Sequence, residues 1–459
     1  MKTNKMNGIS IFALVMLISG AVDSIRNLPA AALFGTALVF FFIFSAIIFL
    51  IPVALVSAEL ASSSSERSGI YYWTCHALGE KVGFLAIWLQ WISNLVWFPT
   101  ILSFIAGTAT YLISPSLAQN KMYLIGMILG TFWFITLINL RGLKVSAKFT
   151  SFCGMAGLVI PLIILISVAS LWILQGHPLQ IHFTRHNLLP DFSNTQNWIS
   201  LTAIMTAFLG IELSAVHVKD VANPQKAYPK ALLMSVSLIL VTMILGSLSI
   251  AFVLPEKQIN LVDGALQSFG YYFHAYHISW LMPVITFLIV IGVAGSMISW
   301  VISPVRGLLQ AAQQGYLPEF MKKQNKYGVA SNLLITQAVF VSLFCLGFLL
   351  MPSVNGSYWL LTALSTQMYI WMYIIMFIVI LVTRHKFPDL QSSYKIPGGK
   401  AGLWFVCLLG LLGCMVTEIV GFIPPAGIDV GSIFHYELIF VIGMFVMTLP
   451  VMACYAHKK

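Results

Sequence analysis

Hydrophobic positions run along this chain in long blocks, without the alternation of a half-buried strand or the three-to-four spacing of a soluble helix. A block of roughly 20 apolar residues is long enough to cross a hydrocarbon core as a helix. Such blocks lie at 9–33, 38–58, 84–112, 122–140, 150–174, 198–217, 231–254, 279–303, 332–351, 359–383, 401–423 and 434–455. They predict an all-α polytopic membrane protein with about twelve transmembrane helices; a barrel would show dyad alternation instead. Between Tyr327 and Thr383 there is no charged residue in 57 positions, too many for one helix. Met351-Pro352-Ser353-Val354-Asn355-Gly356 supplies the turn that divides this stretch. The connections are short, so residues 1–459 read as a single domain.

Composition agrees. Of the 459 residues 59% are apolar and 8% charged, and the mean hydropathy is +0.92. A soluble domain carries about 25% charged residues, so soluble enzymes and transcription factors are excluded. The net charge of +10 would suggest nucleic acid in a soluble protein; here its placement matters more. With the N-terminus inside, 20 of the 24 Lys and Arg fall on cytoplasmic segments, only Lys121, Arg185 and Lys257 fall outside, and Arg26 lies within a span. This split follows the positive-inside rule, with both termini cytoplasmic. The expected partner is the bilayer, not nucleic acid. The basic residues Lys2 and Lys5 before the first span resemble a signal peptide, but no small-residue cleavage site follows, and a retained helix is expected. The six cysteines lie mostly in apolar runs, without CxxC or His/Cys spacing. No disulfide framework, metal site or cofactor is expected. Six of the ten histidines, among them His177, His182 and His186, fall on outer loops; they are either solvated interfacial rings or an acid sensor.

Two spans are interrupted. The first reads Leu17-Ile18-Ser19-Gly20-Ala21-Val22-Asp23-Ser24-Ile25-Arg26-Asn27-Leu28-Pro29, and the sixth reads Phe208-Leu209-Gly210-Ile211-Glu212-Leu213-Ser214. Asp23 and Glu212 each lie about 14 residues into their span, five helices apart. Interrupted segments at matching places in two halves signal an inverted-repeat transporter with its site at the midplane. An unwound segment leaves backbone groups that hydrocarbon does not tolerate, so it must line a polar cavity. A charge at mid-bilayer costs at least about 2.5 kcal/mol and needs a partner or such a cavity. Asp23 and Arg26, three residues apart, form either a local structural pair or part of a substrate path. Glu212 is either a link between helices or a group that responds to protonation. Trp91, Asn94 and Trp97 on the third span either line the cavity or pack, and Glu418 and Glu437 read as structural.

These residues carry a resemblance. Phe40 to Leu60, Phe208-Leu-Gly-Ile-Glu212 with His217, Asn223-Pro224 and Tyr228-Pro229, Ser299-Trp300-Val-Ile-Ser-Pro304-Val-Arg306-Gly307 with Leu317-Pro318, and Tyr394-Lys-Ile-Pro397-Gly-Gly-Lys400 occur in order. Together they resemble the amino acid–polyamine–organocation permeases, most closely the bacterial glutamate/GABA antiporter group. The resemblance implies a five-plus-five inverted repeat (LeuT-like) with discontinuous helices 1 and 6. Repeat one would cover about 9–174, repeat two about 198–383, and two extra helices about 401–455. It also implies an amino acid substrate held between the first, third, sixth, eighth and tenth helices. The first break falls on Val22-Asp23-Ser24, where superfamily members often place a glycine/serine nest for the carboxylate; this chain puts Asp23 there. The sixth-helix motif lands on Phe208, Gly210 and Glu212. Ser296 stands where the exchangers have an eighth-helix glutamate, and Arg26 has no obvious equivalent in them. The short tail implies no long C-terminal extension.

The expected function is a secondary active amino acid antiporter of the bacterial inner membrane, with a proton-coupled permease as the alternative. The expected substrate-binding residues are Val22, Asp23, Ser24, Arg26, Trp91, Asn94, Phe208, Gly210, Glu212 and Ser296. A sodium-coupled carrier would use hydroxyls such as Ser299 and Ser303. No HExxH, paired intramembrane aspartates or GxSxG is present, so no enzyme is expected.

Overall fold

The computed structural model describes residues 10–63, 69–142, 147–184, 188–190, 193, 195–213 and 223–458. Lys2, Lys5, Arg67, Lys144, Arg185, His186, His217, Lys219 and Lys459 lie outside them, as do the side chains of Lys148, Ser299 and Ser303. The described residues are helical, with no strand among them.

The elements are α1 (Ile11–Val22), α2 (Leu28–Ala32), α3 (Gly35–Ser63), α4 (Ile70–Leu78), α5 (Glu80–Leu112), α6 (Lys121–Leu140), α7 (Phe152–Leu174) and α8 (Thr195–Phe208). They continue with α9 (Gln225–Ala251), α10 (Gly264–Ala275), α11 (Ser279–Gln313), α12 (Ser331–Leu349), α13 (Val354–Lys386), α14 (Gly399–Val420) and α15 (Ile433–Ala456). Ten of these are long and apolar enough to cross a membrane. The difference from the expected twelve lies in the two interrupted segments. The first divides into α1 and α2, and the α-helix of the second stops at Phe208.

Side-chain bonds sort the connections onto two sides. On one, Lys458 pairs with Glu80, Lys386 Nζ donates to Ala77 O at 3.1 Å, and Gln225 Nε2 donates to Lys395 O at 2.8 Å. Buried Glu59 pairs there with Arg384 (Nη2–Oε2 2.8 Å) and accepts the Ile396 N–H at 2.7 Å. The ion pair thus fastens the Tyr394–Lys400 segment to the ends of α3 and α13. On the opposite side, Gln180 N donates to Phe252 O at 2.9 Å, Leu261 N to Asn355 Oδ1 at 2.9 Å, and Ser353 Oγ to Asp429 O at 2.6 Å.

Long helices α5 and α13 form the centre, and Ser365 Oγ ties them by donating to Ser93 O at 2.9 Å. Burial falls outward: 78% of the most apolar window of α5 is buried, against 17% for α15. Lipid is as apolar as leucine, so such helices associate through close backbone approach and interhelical bonds. Among the described glycines, the tightest approach of one helix backbone to another is Gly157 of α7 on Gly292 of α11. An ideal Cβ at Gly157 would stand 2.8 Å from Gly292 Cα and 2.9 Å from Val293 N. In contrast, nothing lies within 4 Å of a Cβ added at Gly130 of α6.

Gly157→Ala should therefore lower stability by about 1–3 kcal/mol, the usual cost of overpacking, while Gly130→Ala leaves it unchanged. Thermal melting in detergent, the two variants beside the parent chain, reads the contrast.

Candidate functional site

The first interruption begins where α1 ends at Val22. Ser24 takes extended backbone (φ −154°, ψ 127°), and a single 3-10 turn, Ile25–Asn27, leads into α2 with Pro29 near its start. Proline has no N–H to donate and a fixed φ, so it suits a helix start. The second interruption follows Phe208. Gly210 holds φ +95°, a conformation that strains any residue with a Cβ. Its N–H donates to Tyr373 Oη at 3.0 Å.

The two breaks meet at a cavity of ≈180 Å³, small beside drug-sized pockets of roughly 300–1,000 Å³ and suited to one small metabolite. Val22, Asp23, Ser24, Arg26, Asn94, Gly210 and Ser296 all line it. So do residues the sequence reading did not single out: Thr206 of α8, Trp300 of α11, and Ser365 and Tyr369 of α13. Trp97 completes one wall, its ring 5.4 Å from that of Trp300. Asn94 and Ser296 donate within their own helices, to Gln90 O at 2.6 Å and Gly292 O at 3.0 Å.

Three expected residues stand elsewhere. Trp91 lies six positions before Trp97, about 120° around the helix at 3.6 residues per turn. Its indole N–H donates to Gln337 at 3.2 Å, away from the cavity. Phe208 turns to Phe42, with ring centroids 5.9 Å apart. Glu212 is 3% exposed and sits behind the wall. It accepts the Tyr369 hydroxyl at 2.6 Å, the Tyr373 hydroxyl and, at 3.4 Å, Gln90 Nε2. Tyr369, which borders the cavity, is thus the contact between Glu212 and its contents. Glu418 accepts the Trp371 indole N–H at 3.1 Å, and neither it nor the described outer histidines line the cavity.

The charges in the cavity wall are Asp23 and Arg26, and no ion pair joins them. Arg26, 3% exposed, donates to Thr100 Oγ1 at 2.9 Å and Tyr358 Oη at 3.0 Å, and its guanidinium lies 5.4 Å over the Trp97 ring. Among the described residues Asp23 accepts only from Thr242 Oγ1, at 3.0 and 3.1 Å. The described partners of both groups are thus neutral and leave their charges uncompensated. A wider recess of ≈610 Å³, bordered by Leu33 to Ala37, Gln180 to His182 and Pro425, has no buried charged residue in its wall.

Comparison with known proteins decides what kind of cavity this is. Residues 9–445 match the amino acid permease family. The chain belongs to that family. It is 40% identical, over 98% of its length and 97% of the relative's, to an uncharacterized transporter of Legionella pneumophila. It is 32% identical, over 98% of its length and 91% of the relative's, to a glutamate/gamma-aminobutyrate antiporter of Lactococcus lactis. An inner membrane transporter of Escherichia coli is 25% identical over 73% of this chain and 74% of its own. This permease is accordingly a multi-pass inner-membrane transporter of amino acids, not an enzyme.

Past the cavity, α5 runs on to Gly107 and Tyr111. Gly107 closes on Val262, where an added Cβ would lie 3.4 Å from the Val262 carbonyl oxygen. The Tyr111 hydroxyl donates to Asp263 Oδ2 at 2.9 Å. Asp263 lies in the connection before α10, is 3% exposed, and its Oδ1 has no hydrogen-bond partner among the described residues. Burial pushes its carboxyl from 3.8 up to about 7, against a smaller opposing effect of the Tyr111 bond.

A carboxyl raised in the folded state holds more protons there than in the unfolded chain. Its contribution to stability is present below pH 3.8 and is lost as pH rises through about 7. Asp263→Asn, which keeps an acceptor for Tyr111, should melt above the parent at pH 8 and together with it near pH 4, in thermal scans over about that range.

Proposed function

We propose that the chain is an amino acid antiporter working by alternating access around the cavity between the two breaks, with both termini in the cytoplasm. The observation that carries this reading is Arg26, a buried cation with no carboxylate partner among the described residues, in the wall of a metabolite-sized cavity. An uncompensated intramembrane charge at a helix break marks a substrate path, and an amino acid carboxylate supplies what Arg26 lacks. Repeats at about 9–174 and 198–383, each opened by one interrupted segment, rock about this cavity, and two further helices lie at about 401–455. The side held by Glu59, Glu80, Arg384 and Lys458 is cytoplasmic in this reading. The basic residues distribute accordingly, and the Lactococcus relatives are antiporters.

One assay and one variant test it. Purified protein in liposomes loaded with unlabelled amino acids should take up labelled amino acid, and the same protein in empty liposomes with no ion gradient should not. Robust uptake into the empty vesicles would favour a proton-coupled or other one-way carrier. Arg26→Ala removes the buried cation, and losses at such sites run to 2 kcal/mol or more, about 30-fold. Exchange should fall by at least that factor while insertion and melting temperature are kept; normal exchange removes Arg26 from the site.

Glu212 is proposed as the group through which pH acts on transport, since Tyr369 connects it to the cavity and its hydrogen-bond partners among the described residues are neutral. Glu212→Gln, fixed in the neutral form at nearly constant volume, should flatten the dependence of initial exchange rate on pH. Curves for variant and parent that superimpose after scaling would assign Glu212 a structural role instead.

A further inference from the structure

We infer, resting on the antiport reading, that the site selects amino acids with an uncharged side chain, whose ammonium and carboxylate together carry no net charge. Asp23 and Arg26 are the charged residues of the cavity wall among the described residues, one of each sign. Each is held by neutral groups. Asp23 also directly follows the C-terminal end of α1, where the carbonyls favour a cation. A bound ammonium beside Asp23 and a bound carboxylate beside Arg26 supply each side chain with the opposite charge it lacks. The remaining wall sets Ile101, Phe104, Leu158, Met297 and Trp300 beside neutral polar groups such as Asn94 and Thr206; it accommodates an apolar side chain and gives a third charge no opposite charge.

Glu212 does not alter this count of groups facing the substrate. It does not line the cavity, and both of its oxygens are engaged by Tyr369, Tyr373 and Gln90. Ser296, on the facing stretch of α11, brings a hydroxyl already donated to Gly292 O at 3.0 Å, and no charge. A second carboxylate, as in glutamate, or a second ammonium, as in lysine, would find no further opposite charge among the described residues of the wall. Burying an unpaired charge is costly enough to exclude it or to require its neutralisation. Exchange of one net-neutral substrate for another moves no charge, so the membrane potential does not drive it.

The test uses the full chain in liposomes loaded with all twenty unlabelled amino acids, with labelled leucine, methionine, glutamate and lysine offered outside in turn. Leucine and methionine should enter at least about tenfold faster than glutamate and lysine, the factor that 1.4 kcal/mol of discrimination gives. Their initial rates should not change when a potassium diffusion potential of either sign is imposed. Asp23→Asn keeps the acceptor for Thr242 but leaves Arg26 as the one charge in the wall. It should slow leucine entry and raise the glutamate-to-leucine ratio by about tenfold, a shift in selectivity that a purely structural role for Asp23 would not produce. Faster entry of glutamate or lysine than of leucine in the parent chain, or an unchanged ratio in the variant, overturns the inference and leaves antiport standing. If none of the four enters, each of the other sixteen is offered labelled in turn, and absence of entry for all twenty removes antiport itself, and this selectivity with it.

Discussion

A guanidinium buried in a membrane-embedded bundle with only neutral partners is the constraint around which this permease is arranged. The groups that hold Arg26 come from far along the chain: Nη1 donates to Thr100 of α5 and Tyr358 of α13, and the guanidinium lies over the Trp97 face of α5. Those contacts fix how the most buried helices meet the first interruption. The interruption itself exists because Val22 ends one helix and Ile25 begins the next. Backbone released there must face a polar space, since hydrocarbon offers it nothing. The cavity follows from the break, and the break is stable because α5, α9 and α13 supply hydroxyls and a ring to the charges it exposes.

The second interruption uses a different device. Gly210 turns with a positive φ, and the Tyr373 hydroxyl receives its N–H while donating to Glu212. One tyrosine thus satisfies a freed backbone donor and an acid at once. Tyr369 does the corresponding work toward the cavity, donating to Glu212 and accepting from Gln90 at 3.3 Å. Buried polar groups of this kind hold only when every member is satisfied. The result separates two settings by one ring: charges that line the cavity, Asp23 and Arg26, and an acid that does not, Glu212. Rigid packing at Gly157 and Gly292 forms the wall opposite, and the Tyr111–Asp263 contact closes the bundle beyond α5's last turns.

Much of this was legible in the residues. Long apolar blocks dictate membrane helices because length and hydropathy alone decide whether a segment partitions into lipid. Glycine, proline and charge in mid-span dictate a break, because none of them suits an apolar helix. Asp23, Arg26, Gly210 and Glu212 were marked on those grounds. Family membership also followed from short motifs in order along the chain.

Other features needed the fold. That Asp23 and Arg26 do not pair with each other depends on Thr242, Thr100 and Tyr358, which lie 74 to 332 positions away in sequence. Tyr369 and Tyr373 sit in an uncharged run where nothing local distinguishes a relay from a packing ring. Trp91 and Trp97 look alike along the chain, yet the helix turns one to Gln337 and the other to the cavity. Local sequence determines where a helix must break, because that is an energy of neighbouring residues and the solvent around them. Which side chains close around the break is an energy of distant contacts, and only the tertiary structure brings those groups within hydrogen-bonding distance.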